Sequence, residues 1–510
     1  MTPILSQCPL LVVGAGIMGS GIAQVAAQAG HPVLLFDMRD GAAAEARARL
    51  AATLDGLAAK GKLTAEAAQA AMSRIRPIGT LAEARDARLV VEAIVERIEA
   101  KRELFRQLEE LVAADAVFAS NTSSISITAM ANGLKHPGRL VGMHFFNPVP
   151  VMKLVEVISG LSTEPVVAEA VFQLSLAWGK APVHARSTPG FIVNRIARPY
   201  YAEALALLQE RAAEPQVLDA CFRAAGFRMG PCELMDLIGH DTNFAVTSSV
   251  YEANFYDKRY MPSLVQRELV DGGLLGRKSG RGFYTYPAGV PALPAPPCER
   301  PAPALRVTVH GQDAIGDMLE EAAGSALAPM GQIPARQRDD GWTGLDIDGA
   351  RLVLTEGAPA FEVAAVMGVA DLAVFDRPAA LSGSADRSLA YAVNAGAGAG
   401  WRAQAPAWLR LLGFLPLPVA DTPGLVVART LAMLINEAAD AVLQGVCTPE
   451  AADAAMRLGV NYPAGPFEWL QAWSGPGVAR VVDALDSAYR GERYRLSPWL
   501  RRADHRASVP

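Results

Sequence analysis

Residues 9–37 read PLLVVGAGIMGSGIAQVAAQAGHPVLLFD, and this stretch decides the fold of the first part of the chain. A short apolar run ends at Val13, then Gly14, Gly16 and Gly19 follow in G-x-G-x-x-G spacing; an Ala-rich run reaches Gln28, and a second apolar run ends in Asp37. That order is strand, tight turn, helix, strand: one βαβ unit. The glycines let the backbone turn sharply and bring N–H groups at a helix N-terminus up to a pyrophosphate. With 45 glycines in 510 residues such a triplet arises readily by chance, so its specificity comes from its setting between strand and helix. Asp37, 18 residues beyond Gly19, stands where an acid accepts ribose hydroxyls and repels a 2′-phosphate. The expected cofactor is therefore NAD rather than NADP, bound at Gly14, Gly16, Ile17, Met18, Gly19 and Asp37.

Working outward, strands are expected at RLVVEAI (88–94), VFASN (117–121), LVGMHFF (140–146) and KLVEVI (153–158), with an amphipathic helix KRELFRQLEELV (101–112) between the first two. Strands alternating with helices predict a mostly parallel, doubly wound α/β sheet of Rossmann type over 1–186. At Ser187-Thr188-Pro189-Gly190 the pattern changes, because Thr at a helix N-cap with Pro at the first helical position opens a long helix. An all-α domain is expected over 187–286. Prolines at 287, 291, 294, 296, 297, 301 and 303 mark a linker over 287–304. Short strands in ALRVTVHG, RLVLTEG and DLAVFDR then predict a reduced Rossmann-like module over 305–415, without a phosphate loop.

The helical domain returns as a second copy over 416–510. TPGFIVNR at 188–195 recurs as TPGLVVAR at 422–429, MGPCELMDLIG at 229–239 recurs as AGPFEWLQAWS at 464–474, and Glu203 maps to Glu437. Matches in the same order at an offset of 234 or 235 residues are the mark of an internal repeat.

Composition sets the outer bounds. Apolar residues make up 51% of the chain and charged residues 19%, which supplies a large core and no case for wholesale disorder. A net charge of −5 without a basic tail argues against nucleic acid as a partner. Met1 to Phe36 carries no charged residue, yet it lacks the positive start of a signal peptide, and its glycines, glutamines and His31 break any membrane-spanning run. No membrane partner is expected. Five cysteines without a C-x-x-C pair fit a reduced, cytoplasmic protein, and no cluster has metal-ligand spacing.

Two segments carry candidate chemistry. SNTSSISI (120–127) follows a strand at the carboxyl end where ligands bind in open α/β sheets, although a polar turn with a helix cap would read alike. HFFNPVPVMKLVEVI holds His144 and Glu156, twelve residues apart around a proline-rich turn, so one strand can fold back beside the other. A histidine with a carboxylate on one ring nitrogen is the arrangement of a general base. These motifs, with GAGIMGSGIAQ, VVEAIVE, TPGFIVNR, MGPCELMDLIG and GRKSGRGFY, resemble the 3-hydroxyacyl-CoA dehydrogenase family over about residues 8–286. The resemblance implies His144 as catalytic base, Glu156 as its partner, and Ser123 and Asn194 as substrate contacts. It also implies cofactor contacts from Glu96, Lys101 and Lys278, and a CoA contact from Lys60 or Lys62.

The longer architecture is similar to the phenylacetate-catabolism branch, which implies 3-hydroxyadipyl-CoA as substrate, with 3-hydroxybutyryl-CoA or a general fatty acyl-CoA as alternatives. A non-catalytic NAD-binding protein, or a dehydrogenase of free β-hydroxyacids, is the rival outside this reading; the presence of all four site residues speaks against the first and HFFNPVP against the second. The second copy has Ala428 where the first has Asn194, so one active site per chain is expected. In two-domain relatives the helical domains of two subunits pair, so the second copy would form an in-chain pseudo-dimer, with a homo-oligomer as the alternative.

Overall fold

The computed structural model describes residues 5–293, 301–338, 341–378 and 387–507; residues 294–300 of the proline-rich segment, with Cys298, lie outside them. Eight strands form the first sheet: β1 Leu10–Val13, β2 Val33–Phe36, β3 Ile75–Pro77, β4 Leu89–Glu92, β5 Val117–Ser120, β6 Leu140–Phe145, β7 Leu154–Ser159 and β8 Ala181–Arg186. Their order is β3-β2-β1-β4-β5-β6-β7-β8. Every neighbouring pair is parallel except β6–β7. β1 is buried throughout and lies between β2 and β4, so the strand order reverses at its carboxyl end. A crevice for ligand opens at such a switch point.

A helix pair, Ala42–Ala59 and Ala65–Arg74, fills the connection from β2 to β3, and Thr64 caps the second helix through Ala67 N. The short β3 and the edge strand β8 are additions to the expected strands. β8 contains Pro182, which only an edge strand accommodates without losing a ladder hydrogen bond.

The second sheet runs β10-β9-β11-β12-β13-β14-β15, from β9 Val307–His310, β10 Ala335–Gln337, β11 Gly344–Ile347, β12 Ala350–Leu354, β13 Leu372–Phe375, β14 Ser388–Val393 and β15 Leu415–Pro418. Its register extends the repeat beyond the helical domains. β14 and β15 begin 234 residues after β7 and β8, and Tyr391 opposite Phe375 repeats Val157 opposite Met143. The next position pairs His144 with Glu156 in the first sheet; in the second it is Asp376, whose N–H donates to Ala390 O. Both members of the dyad are thus replaced. Asp376 is fully buried, accepts from Val426 N, Val427 N and Ala428 N, and burial pushes its carboxyl up to about 6. It caps a chain turn where the first half holds a His–Glu pair.

Contacts divide the chain into two compact units, Met1–Arg195 with Ala441–Val460, and Ile196–Asp440 with Asn461–Pro510. The helix Pro449–Val460, read from sequence as part of the second helical copy, packs on β7 and β8 within the first unit. A Cβ on Gly459 would lie 2.7 Å from Leu154 Cδ2, so the close approach depends on glycine.

Inside the second unit the two helical copies exchange the same contacts in both directions. Glu203 of the first copy accepts from Arg493 Nη2 (2.9 Å) and Tyr494 Oη (3.1 Å) of the second. Glu437 of the second accepts from Arg259 Nη1 (3.1 Å) and Tyr260 Oη (2.6 Å) of the first. Each of these residues has its counterpart 234 positions away. Self-complementary exchange of this kind is how a two-fold interface is built, here within one chain.

Candidate active site

β6 and β7 run antiparallel, and their register sets His144 directly opposite Glu156. Directly opposed side chains on one face of a sheet meet. His144 Nδ1 lies 2.6 Å from Glu156 Oε2, and Glu156 Oε1 accepts from Ile192 N and Val193 N, each at 3.0 Å. The carboxylate is fully buried and its position is set by three donors from two segments, β6 and the stretch at Ile192–Val193. Because a carboxylate only accepts, Nδ1 carries the proton in this pair and Nε2 keeps its lone pair. Phe146 and Phe191 pack against the imidazole, with ring centroids 4.6 and 5.9 Å away.

The loop after β5 reaches the same place. Asn121 Oδ1 accepts from Phe145 N at 2.8 Å, which ties this loop to the strand bearing His144. Asn194 Nδ2 approaches Ser123 O at 3.5 Å. Ser123, Asn194, His144 and Glu156 all belong to the first unit. Lys180, which sequence reasoning passed over, donates to Val149 O and Met152 O in the connection from β6 to β7; burial pushes its ammonium down to about 8.

An ionic chain, buried at Glu92, Lys101 and Ser120 and open to solvent at Glu96, lies beneath the loop. Glu96 accepts from Thr122 Oγ1 (2.6 Å), Ser123 N (2.9 Å) and Ser124 N (3.2 Å). Burial acts to raise its pKa, but Lys101, Thr122 and Ser123 outweigh that and hold the carboxyl below its ordinary value. Lys101 Nζ sits 2.6 Å from Glu92 Oε1 and 3.2 Å from Glu96 Oε2, at 1% exposure. Ser120 Oγ closes the chain on Glu92 Oε2 at 2.6 Å. Lys101, expected from the resemblance at the cofactor, is therefore enclosed below the loop with its charge shared by two carboxylates. Glu92 was missed, although VVEAIVE carries an acid at each end of its last five residues and the first of them ends a buried strand.

The loop after β1 fits a dinucleotide. Gly14 has φ +104°, and a Cβ there would lie 2.4 Å from Ala93 O; one on Gly19 would lie 1.8 Å from Gly14 O. Above Gly16 nothing lies within 4 Å of that position, which leaves the backbone open to a pyrophosphate at the start of the helix Ile17–Gln28. Ile17 and Met38 are large apolar side chains left 77% and 90% exposed at this mouth. Asp37 accepts from Ala15 N (2.7 Å) and Arg39 N (2.9 Å), so its carboxylate is held at the end of β2. The Arg39 guanidinium is turned onto Glu45 through two hydrogen bonds, at 2.6 and 3.2 Å. Asp37→Ala is expected to weaken NAD by about 10- to 100-fold, the loss of hydrogen bonds to a charged group, with NADP affected less; NAD and NADP titrations on both proteins check this.

Lys60 and Lys62 are exposed in the turn between the helices Ala42–Ala59 and Ala65–Arg74. Lys278 belongs to the second unit, where it pairs with Asp241 Oδ1 at 2.5 Å. There the GRKSGRGFY segment is folded onto Asp236, which accepts from Phe283 N and Tyr284 N. Among the described residues no group of three or more His, Cys, Asp or Glu could hold a metal ion, and no helix is long and apolar enough to cross a membrane.

Comparison with known proteins gives the family. The model of the 3-hydroxyacyl-CoA dehydrogenase NAD binding domain matches residues 10–188, and that of the C-terminal domain matches 190–286 and again 424–507. The chain belongs to the 3-hydroxyacyl-CoA dehydrogenase family. It is an NAD-dependent oxidoreductase acting on 3-hydroxyacyl-CoA. Residues 352–423 match the 3-hydroxybutyryl-CoA dehydrogenase reduced Rossmann-fold domain. A 3-hydroxyadipyl-CoA dehydrogenase of Escherichia coli is 44% identical over 96% of both chains. The human mitochondrial hydroxyacyl-coenzyme A dehydrogenase is 41% identical over 54% of this chain and 90% of its own. A crystal structure of an E. coli 3-hydroxybutyryl-CoA dehydrogenase superposes with a TM-score of 0.89 at 41% identity, covering 99% of both chains.

Proposed function

We propose that His144 is the general base of this dehydrogenase, positioned by Glu156, and that its substrate is a dicarboxylic thioester, 3-hydroxyadipyl-CoA. The observation that carries the first part is the 2.6 Å contact of His144 Nδ1 with a carboxylate that backbone N–H groups hold on its other oxygen. His144 Nε2 takes the proton of the C3 hydroxyl, and Glu156 stabilises the imidazolium that forms. NAD, when bound, supplies the acceptor for the hydride leaving C3. Ser123 and Asn194 hydrogen-bond the reacting oxygen, with Ser123 presented on the loop that Glu96 fixes. Gly14, Gly16, Ile17, Met18, Gly19 and Asp37 hold the dinucleotide, Glu96 and Lys101 support it from below the loop, and Lys60 or Lys62 meets the CoA phosphates.

The choice of substrate rests on the E. coli relative that shares the whole domain series. Initial rates with NAD on 3-hydroxyadipyl-CoA, 3-hydroxybutyryl-CoA and a long-chain homologue test it. The dicarboxylic thioester is expected to give the highest kcat/KM; equal or better turnover of 3-hydroxybutyryl-CoA removes the assignment. We place the enzyme in the cytoplasm, in keeping with Cys8, Cys221, Cys232 and Cys447 as free thiols, and assign the second helical copy the place that a partner subunit takes in two-domain relatives. The reciprocal Glu203 and Glu437 contacts support that reading.

A further inference from the structure

β9, β12 and β13 point the same way in the second sheet, because β11 runs antiparallel to both β9 and β12 while β12 and β13 are parallel. Their carboxyl ends therefore share one edge, where open α/β sheets take ligands. A cavity of about 380 Å³ lies at that edge within the second unit, lined by residues following each of these strands and by Trp473 and Arg480 of the second helical copy. Pockets of this size hold small organic ligands.

The route used by a dinucleotide in the first half is closed here. Gly311, at φ +112°, follows β9 as Gly14 follows β1, and Gly316 repeats Gly19, but Asp313 stands where the first loop has Gly16. Asp313 Oδ1 accepts from Gly316 N at 2.8 Å, so the helix Ala314–Leu327 begins on its own carboxylate, which repels a pyrophosphate. What the cavity offers instead is Arg377, two residues after the end of β13. Its guanidinium lies over the Trp473 ring at 4.4 Å, and among the described residues no carboxylate comes within ion-pair distance of it and its side chain makes no hydrogen bond. Its neighbours on the cavity wall are committed: Arg338 to Asp317 and Glu320, and Arg480 to Glu356 at 2.7 Å. A guanidinium stacked on an aromatic face keeps its edge N–H groups free as a fork for a planar or tetrahedral oxyanion.

We propose that this cavity is a second ligand site, separate from the dehydrogenase centre, which binds a small organic anion through a carboxylate or phosphate seated on Arg377. The test uses the full chain and follows tryptophan fluorescence, since Trp473 lies under the binding group and Trp342 also lines the cavity. Adipate, inorganic phosphate and AMP are titrated separately, the first reporting a carboxylate ligand and the others a phosphate one. At least one is expected to saturate below about 1 mM, with His144→Gln binding it unchanged, Arg377→Lys more weakly, and Arg377→Gln at least ten-fold more weakly. Saturation that survives Arg377→Gln, or is lost in His144→Gln, overturns the proposal. So does the absence of saturation with all three probes, and an Arg377→Gln variant whose only change is a lower melting temperature identifies the residue as packing alone.

Discussion

Replacing His144 with Gln is expected to lower kcat by about 10²- to 10⁴-fold, the contribution of a positioned general base, while NAD affinity and thermal midpoint stay close to the parent values. The glycine loop and Asp37 that fit NAD do not touch the imidazole, so binding survives its loss. Glu156→Gln is the sharper variant. Its amide oxygen can still accept from Ile192 N and Val193 N, as Glu156 Oε1 does at 3.0 Å, which leaves its NH₂ group facing His144 Nδ1. The ring must then accept at Nδ1 and carry its proton on Nε2, the wrong tautomer for a base. A kcat reduced by more than ten-fold, with KM little changed, is the expected result. A histidine that merely fills the core predicts the opposite: a lower melting temperature for His144→Gln and normal turnover for Glu156→Gln. Full kcat in Glu156→Gln would remove the dyad.

Much of this site is written locally in the chain. The glycine spacing, the acid closing β2 and the twelve-residue gap from His144 to Glu156 each describe one turn or one hairpin, so their geometry follows from neighbours in sequence. What stayed hidden is held by distant partners. Nothing near Lys101 in sequence says that Glu92 and Glu96 close over it, because that depends on how β4 and the following helix fold together. β14 and β15 escaped sequence reading because Ala, Ser and two prolines dilute their apolar runs, yet at a constant 234-residue offset they repeat β7 and β8. That alignment also shows why the second half has no dyad: Asp376 and Ala390 occupy the paired positions of His144 and Glu156. The helical repeat was visible because its glycines and prolines mark turns, whereas the partners of Glu203 and Glu437 needed the fold to be seen.

Those two carboxylates make an internal comparison. Glu203 is fully buried and holds Arg429 Nε at 2.6 Å and Arg493 Nη2 at 2.9 Å, with Arg429 itself wholly enclosed. Burial acts to raise the Glu203 pKa, but the two guanidinium groups outweigh it and hold the carboxyl below its ordinary value. Removing it leaves two cations in the interior, with Glu210, 3.5 Å from Arg429 Nη2, as the one remaining acid in ion-pair reach among the described residues. Breaking a buried pair in this way costs about 3–5 kcal/mol. For a unit of this size, with an unfolding entropy of about 2.1 cal/mol/K per residue, that is a fall in melting temperature of roughly 5–8 °C. Glu437→Ala is expected to cost less, because its partner Arg259 keeps Asp440 at 2.5 Å. The linkage adds a pH signature: a carboxyl whose pKa is lowered on folding contributes stability at neutral pH that is lost as pH falls through its folded value. The gap between parent and Glu203→Ala should therefore narrow on acidification. Thermal melts of the parent, Glu203→Ala and Glu437→Ala at neutral and acidic pH measure all three effects, and NAD-dependent turnover below the transition should be retained, since neither residue belongs to the unit that carries His144. Equal midpoints for the two variants, or a gap that does not change with pH, would show that Glu203 does not anchor the two helical copies to each other.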